Sequence, residues 1–245
     1  MGHVQSLVRT LEMLQESTAD LVASAGQITD EQARGPSLLP GWTRGHLLTH
    51  VARNAEGGTR LLGWARTGVP SYEYRSVAAR AAAIAEGAGR PAAVLAEDVR
   101  ATAAAFAEAA AAVPPGAWQH LVTWTTGQQT PAGMIARSRL GEVLIHHVDL
   151  DTGYGAGSWP AGFVAEMIGL VAGAFRENPL VPTALRLAAT DTGRAYQTGA
   201  ATADGVAVSG TESDLLAWLL GRSGGAHLAW KGAAGLPRLP SPWTT

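Results

Sequence analysis

The chain has 245 residues, of which 47% are hydrophobic and 16% charged, a composition typical of globular rather than disordered proteins. Its formal net charge of −2 gives no reason to expect a nucleic acid or an anionic membrane as a partner. The sequence contains no cysteine, which excludes disulfides, thiolate zinc sites and a protein thiol nucleophile. Any metal must therefore be bound by His, Asp or Glu, and any reactive thiol must arrive with a co-substrate.

The N-terminal segment and the lengths of the apolar runs indicate the cellular compartment of the protein. No apolar run approaches the roughly 20 residues that a membrane-spanning helix needs. The first residues, MGHVQSLVRTLEMLQ, lack the continuous apolar core of a signal peptide. We therefore predict a cytoplasmic protein without a membrane partner.

Helical periodicity predicts four long helices in the first part of the chain. They are expected at about residues 4–25, 44–66 and 92–113, and from 131 through 146. Thr43 is a suitable N-cap for the second helix, and Pro91 can occupy the first turn of the third because its missing N–H costs little there. A loop at residues 68–74, a short alanine-rich helix at 76–86 and an extended run at 121–126 are expected between them.

The hydrophobic pattern of the sequence changes after a group of helix-breaking residues, which predicts a domain boundary there. These residues are Gly153, Gly155, Gly157 and Pro160. Beyond it, alternating and helical patterns predict a mixed arrangement. Helices are expected at 163–175 and 213–220, and strands at 185–190, 205–209 and 226–230. The predicted domains are therefore a four-helix bundle at residues 1–155 and a small α+β domain at 156–245.

The segment EVLIHHVD, residues 142–149, contains the densest group of side chains that can bind a metal. Glu142 and His146 are four residues apart, which places both on one face of a helix. Asp149 lies three residues further along, near the same face. A metal site needs at least one more protein ligand, and His50 is the best candidate to supply it. A buried structural histidine and a salt-bridged glutamate remain the alternative, so the residues alone indicate a helical bundle with a candidate His/Glu/His site.

Several motifs, taken together and in this order, connect the chain to a known family. They are LPGWTRGH (39–46), LTHVARN (48–54), RAAAIAEGAGR (80–90), EVLIHHVDL (142–150), GTESDLLAWLLGR (210–222) and LPSPW (239–243). With these motifs the chain resembles the mycothiol-dependent maleylpyruvate isomerase family, which is part of the DinB-like superfamily of metal-binding helical bundles. The resemblance runs nearly from end to end. It implies a DinB-like four-helix bundle followed by a small α/β domain.

The resemblance also implies the composition of an active site. A divalent metal, expected to be zinc, would be held by His50, Glu142 and His146, and three protein ligands leave the open position typical of catalytic zinc. Arg222 of the second domain would reach the site and contact the thiol cofactor or the substrate. Asp149 would lie beside the ligands, where it would orient a histidine or contact the thiol.

The implied activity is a cis–trans isomerisation of maleylpyruvate to fumarylpyruvate, with mycothiol as the thiol cofactor. Thiolate addition would turn the double bond into a single bond, rotation would follow, and elimination would give the trans isomer. A mycothiol S-transferase acting on another electrophile is the alternative, because the same metal site would serve it. A third hypothesis is a binding module that holds a metal without turnover. The sequence gives no sign of an oligomer beyond a monomer or weak homodimer.

The remaining candidates have simpler interpretations as well. Arg222 is also compatible with a solvated cation at a helix end. His46, one turn before His50, is expected to be packed, and His147 points about 100° away from His146 and is expected to be structural. Tyr72 and Tyr74 lie in a loop that could cover the site.

Overall fold

The computed structural model describes residues 2–178, 180–181, 184–198, 205–232 and 235–242. The chain divides into two compact units, Met1–Tyr154 and Gly155–Thr245. The predicted fold class, a helical bundle followed by a small α/β region, is confirmed. Among the described residues, no helix is both long enough and apolar enough to cross a membrane.

The first unit is built from four long helices, two short ones and a hairpin. The helices are α1 (Gly2–Ala25), α2 (Asp30–Arg34), α3 (Arg44–Thr67), α4 (Val77–Gly87), α5 (Ala92–Ala111) and α6 (Gly133–Asp149). The strands β1 (Leu121–Thr123) and β2 (Gln129–Pro131) pair antiparallel between α5 and α6. Helices α1 and α3 each pack against both α5 and α6, which closes the four-helix bundle. Its core is apolar and fully buried, with Leu21, Leu48, Leu61, Leu95 and Leu144 at its centre.

The start of α3 follows the sequence prediction closely. The Thr43 hydroxyl accepts a hydrogen bond from the backbone N–H of His46, and the His46 ring lies 3.3 Å from the Thr43 backbone nitrogen. This reciprocal arrangement is a capping box with histidine in the third helical position. His46 therefore caps the N-terminus of α3, a structural role that agrees with the expected packing.

Three boundaries in the first unit differ from the expectation. Helix α2 was missed because its five residues are too few to show periodicity, although Thr29 and Gln32 form a capping box. Helix α6 begins at Gly133, two residues later than expected, because Pro131 pairs with Leu121 in the hairpin. The expected strand at 121–126 is shorter and is continued by the turn that leads into β2.

The second unit combines two helices with a mixed sheet. Its elements are α7 (Ala161–Glu177), β3 (Leu185–Ala189), β4 (Ala195–Thr198), β5 (Val206–Gly210), α8 (Glu212–Leu219) and β6 (Ala229–Lys231). The strand order is β4-β3-β5-β6, in which β3 and β5 are parallel and the other pairs antiparallel. Side chains of β3 and β5 alternate between buried and more exposed, and α8 packs on both strands.

Two strand predictions in this unit needed correction. Strand β4 was not foreseen, because its sequence, Ala-Tyr-Gln-Thr, lacks a strong apolar alternation. The last strand begins at Ala229 instead of residue 226, since Ala226 and His227 form a turn. The proline-rich tail has no helix or strand at residues 235–242, and Trp243 of the LPSPW motif lies outside the described residues.

Candidate metal centre

The three predicted ligands meet where α3 packs against α6. Glu142 and His146 project from successive turns of α6, and His50 projects from α3. His50 is buried, whereas the side chains of His146 and Glu142 are 13% and 27% exposed. The cluster is therefore mostly enclosed by the bundle, with parts of the His146 and Glu142 side chains exposed.

The ligand atoms form a compact triangle. Glu142 Oε2 lies 2.9 Å from His50 Nε2 and 3.3 Å from His146 Nε2, and the two Nε2 atoms are 3.1 Å apart. Zinc bonds of about 2.0–2.1 Å in a tetrahedron place neighbouring ligand atoms roughly 3.3 Å apart. The observed spacing is close to that of a three-ligand metal site with a further position open.

The hydrogen-bonding state of these atoms also fits a cation. Glu142 Oε2 is buried and has no hydrogen bond of acceptable geometry, in spite of its two close histidine neighbours. Buried carboxylate oxygens without a partner are rare because their desolvation is costly. A divalent cation bound by His50, Glu142 and His146 would satisfy this oxygen and separate the two imidazole nitrogens. The donor set of two imidazoles and a carboxylate suits zinc and several other divalent metals.

Asp149 contacts the far side of His146. Its Oδ2 atom lies 2.9 Å from His146 Nδ1, and the aspartate is fully buried at the end of α6. A carboxylate in this position keeps a hydrogen on Nδ1, so that the proton that a bound cation displaces is the one on Nε2, which faces the cluster. The structure thus places Asp149 beside a ligand, although its function there stays a prediction.

The charges of the cluster follow from burial and from mutual contact. Burial opposes ionisation of Glu142, but His50 and His146 outweigh it and hold the pKa of Glu142 well below its usual value. Burial also lowers the pKa of His50, although Glu142 partly opposes this. Burial lowers the pKa of His146, but the close carboxylates of Asp149 and Glu142 outweigh it and raise this pKa to about 9. Glu142 is therefore a carboxylate anion at neutral pH, as a metal ligand would need to be.

Two aromatic residues shape the surroundings of the cluster. The Trp42 ring packs edge-on against His50, with ring centroids 5.5 Å apart. His147 faces away from the cluster, where it stacks on Tyr154 at 3.7 Å and lies 2.8 Å from the Ser24 hydroxyl. These contacts are structural in character, because they fix the loop before α3 and attach α6 to α1.

Sequence reasoning missed Arg80, the single basic residue of α4. Its Nη2 atom lies 3.1 Å from His50 Nδ1 and 3.5 Å from His50 Nε2. An atom at comparable distances from both ring nitrogens lies near the ring face or Cε1, outside the direction of either lone pair. The arginine is therefore a cation in direct contact with the imidazole of His50. The sequence feature that could have identified Arg80 was its isolated charge within an alanine-rich helix.

The two loop tyrosines have different positions. Tyr72 is 58% exposed and packs against Trp64 with ring centroids 5.6 Å apart. Tyr74 is half-buried beside Arg80, whose guanidinium carbon lies 5.8 Å from the centroid of the tyrosine ring. Only Tyr74 belongs to the surroundings of the cluster within the first unit.

Arg222 follows α8 in the second unit. Its Nη1 atom donates to the carbonyl of Leu220 at 2.6 Å, and its backbone N–H donates to the carbonyl of Ala217 at 2.7 Å. The structure brings His50, Glu142, His146 and Asp149 together within the first unit. The predicted participation of Arg222 in the site stays a prediction.

Comparisons with known proteins agree on one family. The family model of the mycothiol maleylpyruvate isomerase N-terminal domain matches residues 14–151, more than half of the chain. A crystal structure of the mycothiol-dependent maleylpyruvate isomerase is similar with 28% identity and a TM-score of 0.86, over 96% of each chain. Its H52A mutant is similar with 27% identity, the same TM-score and the same coverage of both chains. A comparison with curated protein sequences finds no significant match. The chain belongs to the mycothiol maleylpyruvate isomerase family.

Proposed function

We propose that the chain is a metal- and mycothiol-dependent isomerase that converts maleylpyruvate to fumarylpyruvate. The observation that carries the proposal is the convergence of His50, Glu142 and His146 on one point, with a buried oxygen left without a hydrogen bond. Family membership supports mycothiol as the thiol, because the similar solved structure is described as a mycothiol-dependent maleylpyruvate isomerase.

The absence of cysteine makes an external thiol a chemical requirement of this mechanism. A free thiol has a pKa of about 8.5, and a divalent cation, expected to be zinc, would lower it when bound at this centre. A decrease of roughly two units corresponds to about 2.7 kcal/mol of differential stabilisation of the thiolate. The partial exposure of the His146 and Glu142 side chains is consistent with access by such a thiol.

The reaction is balanced without any other reagent. The thiolate sulfur forms a bond to one alkene carbon of the conjugated cis double bond, and the electron pair moves to the carbonyl oxygen as an enolate. The former double bond is now single and rotates. The enolate then returns its electron pair, the carbon–sulfur bond breaks, and the trans isomer and the thiolate are released.

Two residues of the chain would assist these reaction steps. Asp149 would maintain the His146 tautomer whose Nε2 atom faces the centre. Arg222 is proposed to reach the site from the second unit and to stabilise enolate or carboxylate charge, since a guanidinium binds both well. This role for Arg222 rests on the family resemblance.

A mycothiol S-transferase is the second candidate. It is favoured by one observation: the metal ligands all lie in the unit that the N-terminal domain model matches, so the same centre can serve other electrophiles. The two activities differ in the fate of the thiol. An isomerase returns mycothiol after each turnover, whereas a transferase consumes it in proportion to product.

The test uses metal-loaded protein, mycothiol and maleylpyruvate, with fumarylpyruvate and free thiol measured in parallel. The isomerase proposal expects many turnovers per mycothiol, no product without mycothiol, and loss of turnover in His50→Ala. Proportional loss of thiol with an S-conjugated product would identify a transferase. Unchanged maleylpyruvate with fully metal-loaded protein would contradict the isomerase assignment.

A further inference from the structure

Arg139 is a buried cation next to the metal centre that no function so far explains. Its side chain is only 3% exposed, and its Nη1 atom donates to the Val51 carbonyl and to Asn54 Oδ1, both at 2.8 Å. Its Nη2 atom is buried and has no hydrogen-bond partner. A buried donor without a partner carries a desolvation cost, and this cost is larger for a charged group.

The position of Arg139 in the bundle connects it to the centre. It lies three residues before Glu142 on α6, and Asn54, to which it is bonded, lies four residues after His50 on α3. Both spacings correspond to about one helical turn, or roughly 5.4 Å along each axis. The guanidinium therefore occupies the layer of the bundle next to the metal ligands, where it also interacts electrostatically with Glu142 and Tyr74.

Tyr74 supplies a second donor without a partner. Its hydroxyl oxygen is buried, lies near Arg80, and has no hydrogen bond of acceptable geometry. Burial, reinforced by Glu73, raises the pKa of Tyr74 to about 12, so the hydroxyl keeps its proton at neutral pH. It is therefore available as a donor to an anion.

The loop that carries Tyr74 is held firmly against α3. Arg60 Nε donates to the carbonyls of Tyr72 and Glu73 at 3.2 and 3.1 Å. The Thr125 hydroxyl donates to Glu73 Oε2 at 3.1 Å. Gly57 allows the close approach, because a Cβ atom there would lie 2.6 Å from Glu73 Cγ. The tyrosine is thus positioned by packing and does not depend on a flexible loop.

Arg80 adds a second cation on the same side. Within the described part of the chain, neither Arg80 nor Arg139 forms an ion pair with a carboxylate, whereas other arginines of the bundle do. Arg80 instead contacts the imidazole of His50 and the ring of Tyr74. Two arginines and a hydroxyl that keeps its proton therefore lie near one metal centre, together with the carboxylates of Glu73 and Glu142.

We propose that Arg80, Tyr74 and Arg139 bind a carboxylate group of the electrophilic substrate beside the metal centre. The inference rests on the proposed function, because it assigns the substrate subsite of that same centre. A carboxylate presents two planar acceptors that match guanidinium donors and a hydroxyl. An uncharged electrophile would offer these donors a weaker acceptor and would leave the Arg139 Nη2 and Tyr74 hydroxyl donors poorly satisfied.

The competing explanation is a trapped water molecule. A small void next to Arg139 is lined by Asn54, Glu73, Trp124 and Ser138, among others, and a water there could accept from Nη2. Water would satisfy Arg139 but would give the protein no affinity for a carboxylate that depends on Tyr74 and Arg80. The two explanations therefore predict different binding results.

The test is calorimetric titration of metal-loaded protein with maleate, a cis-dicarboxylate that lacks the keto group of the substrate. Loss of a hydrogen bond to a charged acceptor is expected to weaken maleate binding about 10-fold in Tyr74→Phe and 10- to 100-fold in Arg80→Gln. Arg139→Lys keeps the charge but removes the forked donors, and about a 10-fold loss is expected. Metal content and mycothiol affinity are measured for each variant.

Two neighbouring substitutions serve as matched controls. Tyr72→Phe and Arg75→Gln change the same residue types at exposed positions of the same segment, and both should bind maleate as the wild type does. Maleate affinity that is unchanged in both Tyr74→Phe and Arg80→Gln would overturn the proposal, as would wild-type protein that binds metal and mycothiol but not maleate. Weakened maleate binding in a protein that does not isomerise maleylpyruvate would support the subsite and overturn the proposed reaction alone.

Discussion

Replacement of Asp149 by Asn tests how the buried carboxylate prepares His146 for a metal. The amide has nearly the same size as the carboxylate, so the packing at the end of α6 should be preserved. It can, however, donate to His146 Nδ1, which would move the imidazole hydrogen to Nε2, where the metal would bind. The 2.9 Å contact and the complete burial of Asp149 indicate that this hydrogen bond is well defined. Loss of such an outer partner typically costs 10- to 100-fold in metal affinity, or about 1.4–2.7 kcal/mol.

The assay is a competition between the protein and a chelator of known zinc affinity, followed by dialysis and metal analysis. Asp151→Asn is the control, because Asp151 forms an exposed 3.2 Å ion pair with Arg44 and has a positive φ of 53°, which asparagine tolerates. We expect the control to retain wild-type metal affinity and both variants to remain folded by circular dichroism. Equal affinities for wild type and Asp149→Asn would refute the proposed role of the carboxylate.

Three further predictions concern the stability of the first unit. Gly57→Ala should lower the free energy of unfolding by about 1–2 kcal/mol, because the new Cβ atom meets Glu73. Gly63→Ala should raise it by about 0.5–1 kcal/mol, because no atom lies within 4 Å of the new Cβ. Equal changes for the two variants in urea titrations would contradict this. Leu62→Ala, at a fully buried position, should lower the free energy of unfolding by about 2–5 kcal/mol. Leu38→Ala, at a position that is 46% exposed, should lower it by less than about 0.5 kcal/mol. Thermal and denaturant unfolding measure both changes. Removal of the metal with a chelator should lower the melting temperature, because a ligand at 100 times its Kd adds about 2.7 kcal/mol to the free energy of unfolding. The melting temperature of His146→Ala should not depend on the metal.

Local patterns were sufficient to predict the main helices and the shared face of two residues of the cluster. The predicted second helix coincides closely with α3 because Thr43 caps it and the apolar stripe is long. The spacing of Glu142 and His146 requires only that α6 be a helix, so their shared face could be derived without knowledge of the packing. His50 was harder, because its selection depended on which helix packs against α6.

The residues that were missed depend on long-range packing. Arg139 lies on the buried face of α6, but an arginine in an amphipathic helix is usually assigned to the solvent. Its partners, Val51 and Asn54, are more than 80 residues away in sequence. The available signal was its place on the stripe that also contains Glu142 and His146. Tyr74 was noted only as part of a loop, because no local pattern specifies how that loop packs against Gly57.

The central claim is that this centre holds a metal that binds the thiol of mycothiol. X-ray absorption spectroscopy at the edge of the bound metal tests it directly, with and without saturating mycothiol. Because the chain has no cysteine, a thiolate sulfur in the first coordination sphere can come only from the added thiol. We predict nitrogen and oxygen ligands alone before addition, and one sulfur at about 2.3 Å afterwards if the metal is zinc. A spectrum that shows no sulfur ligand at saturating mycothiol would contradict the account.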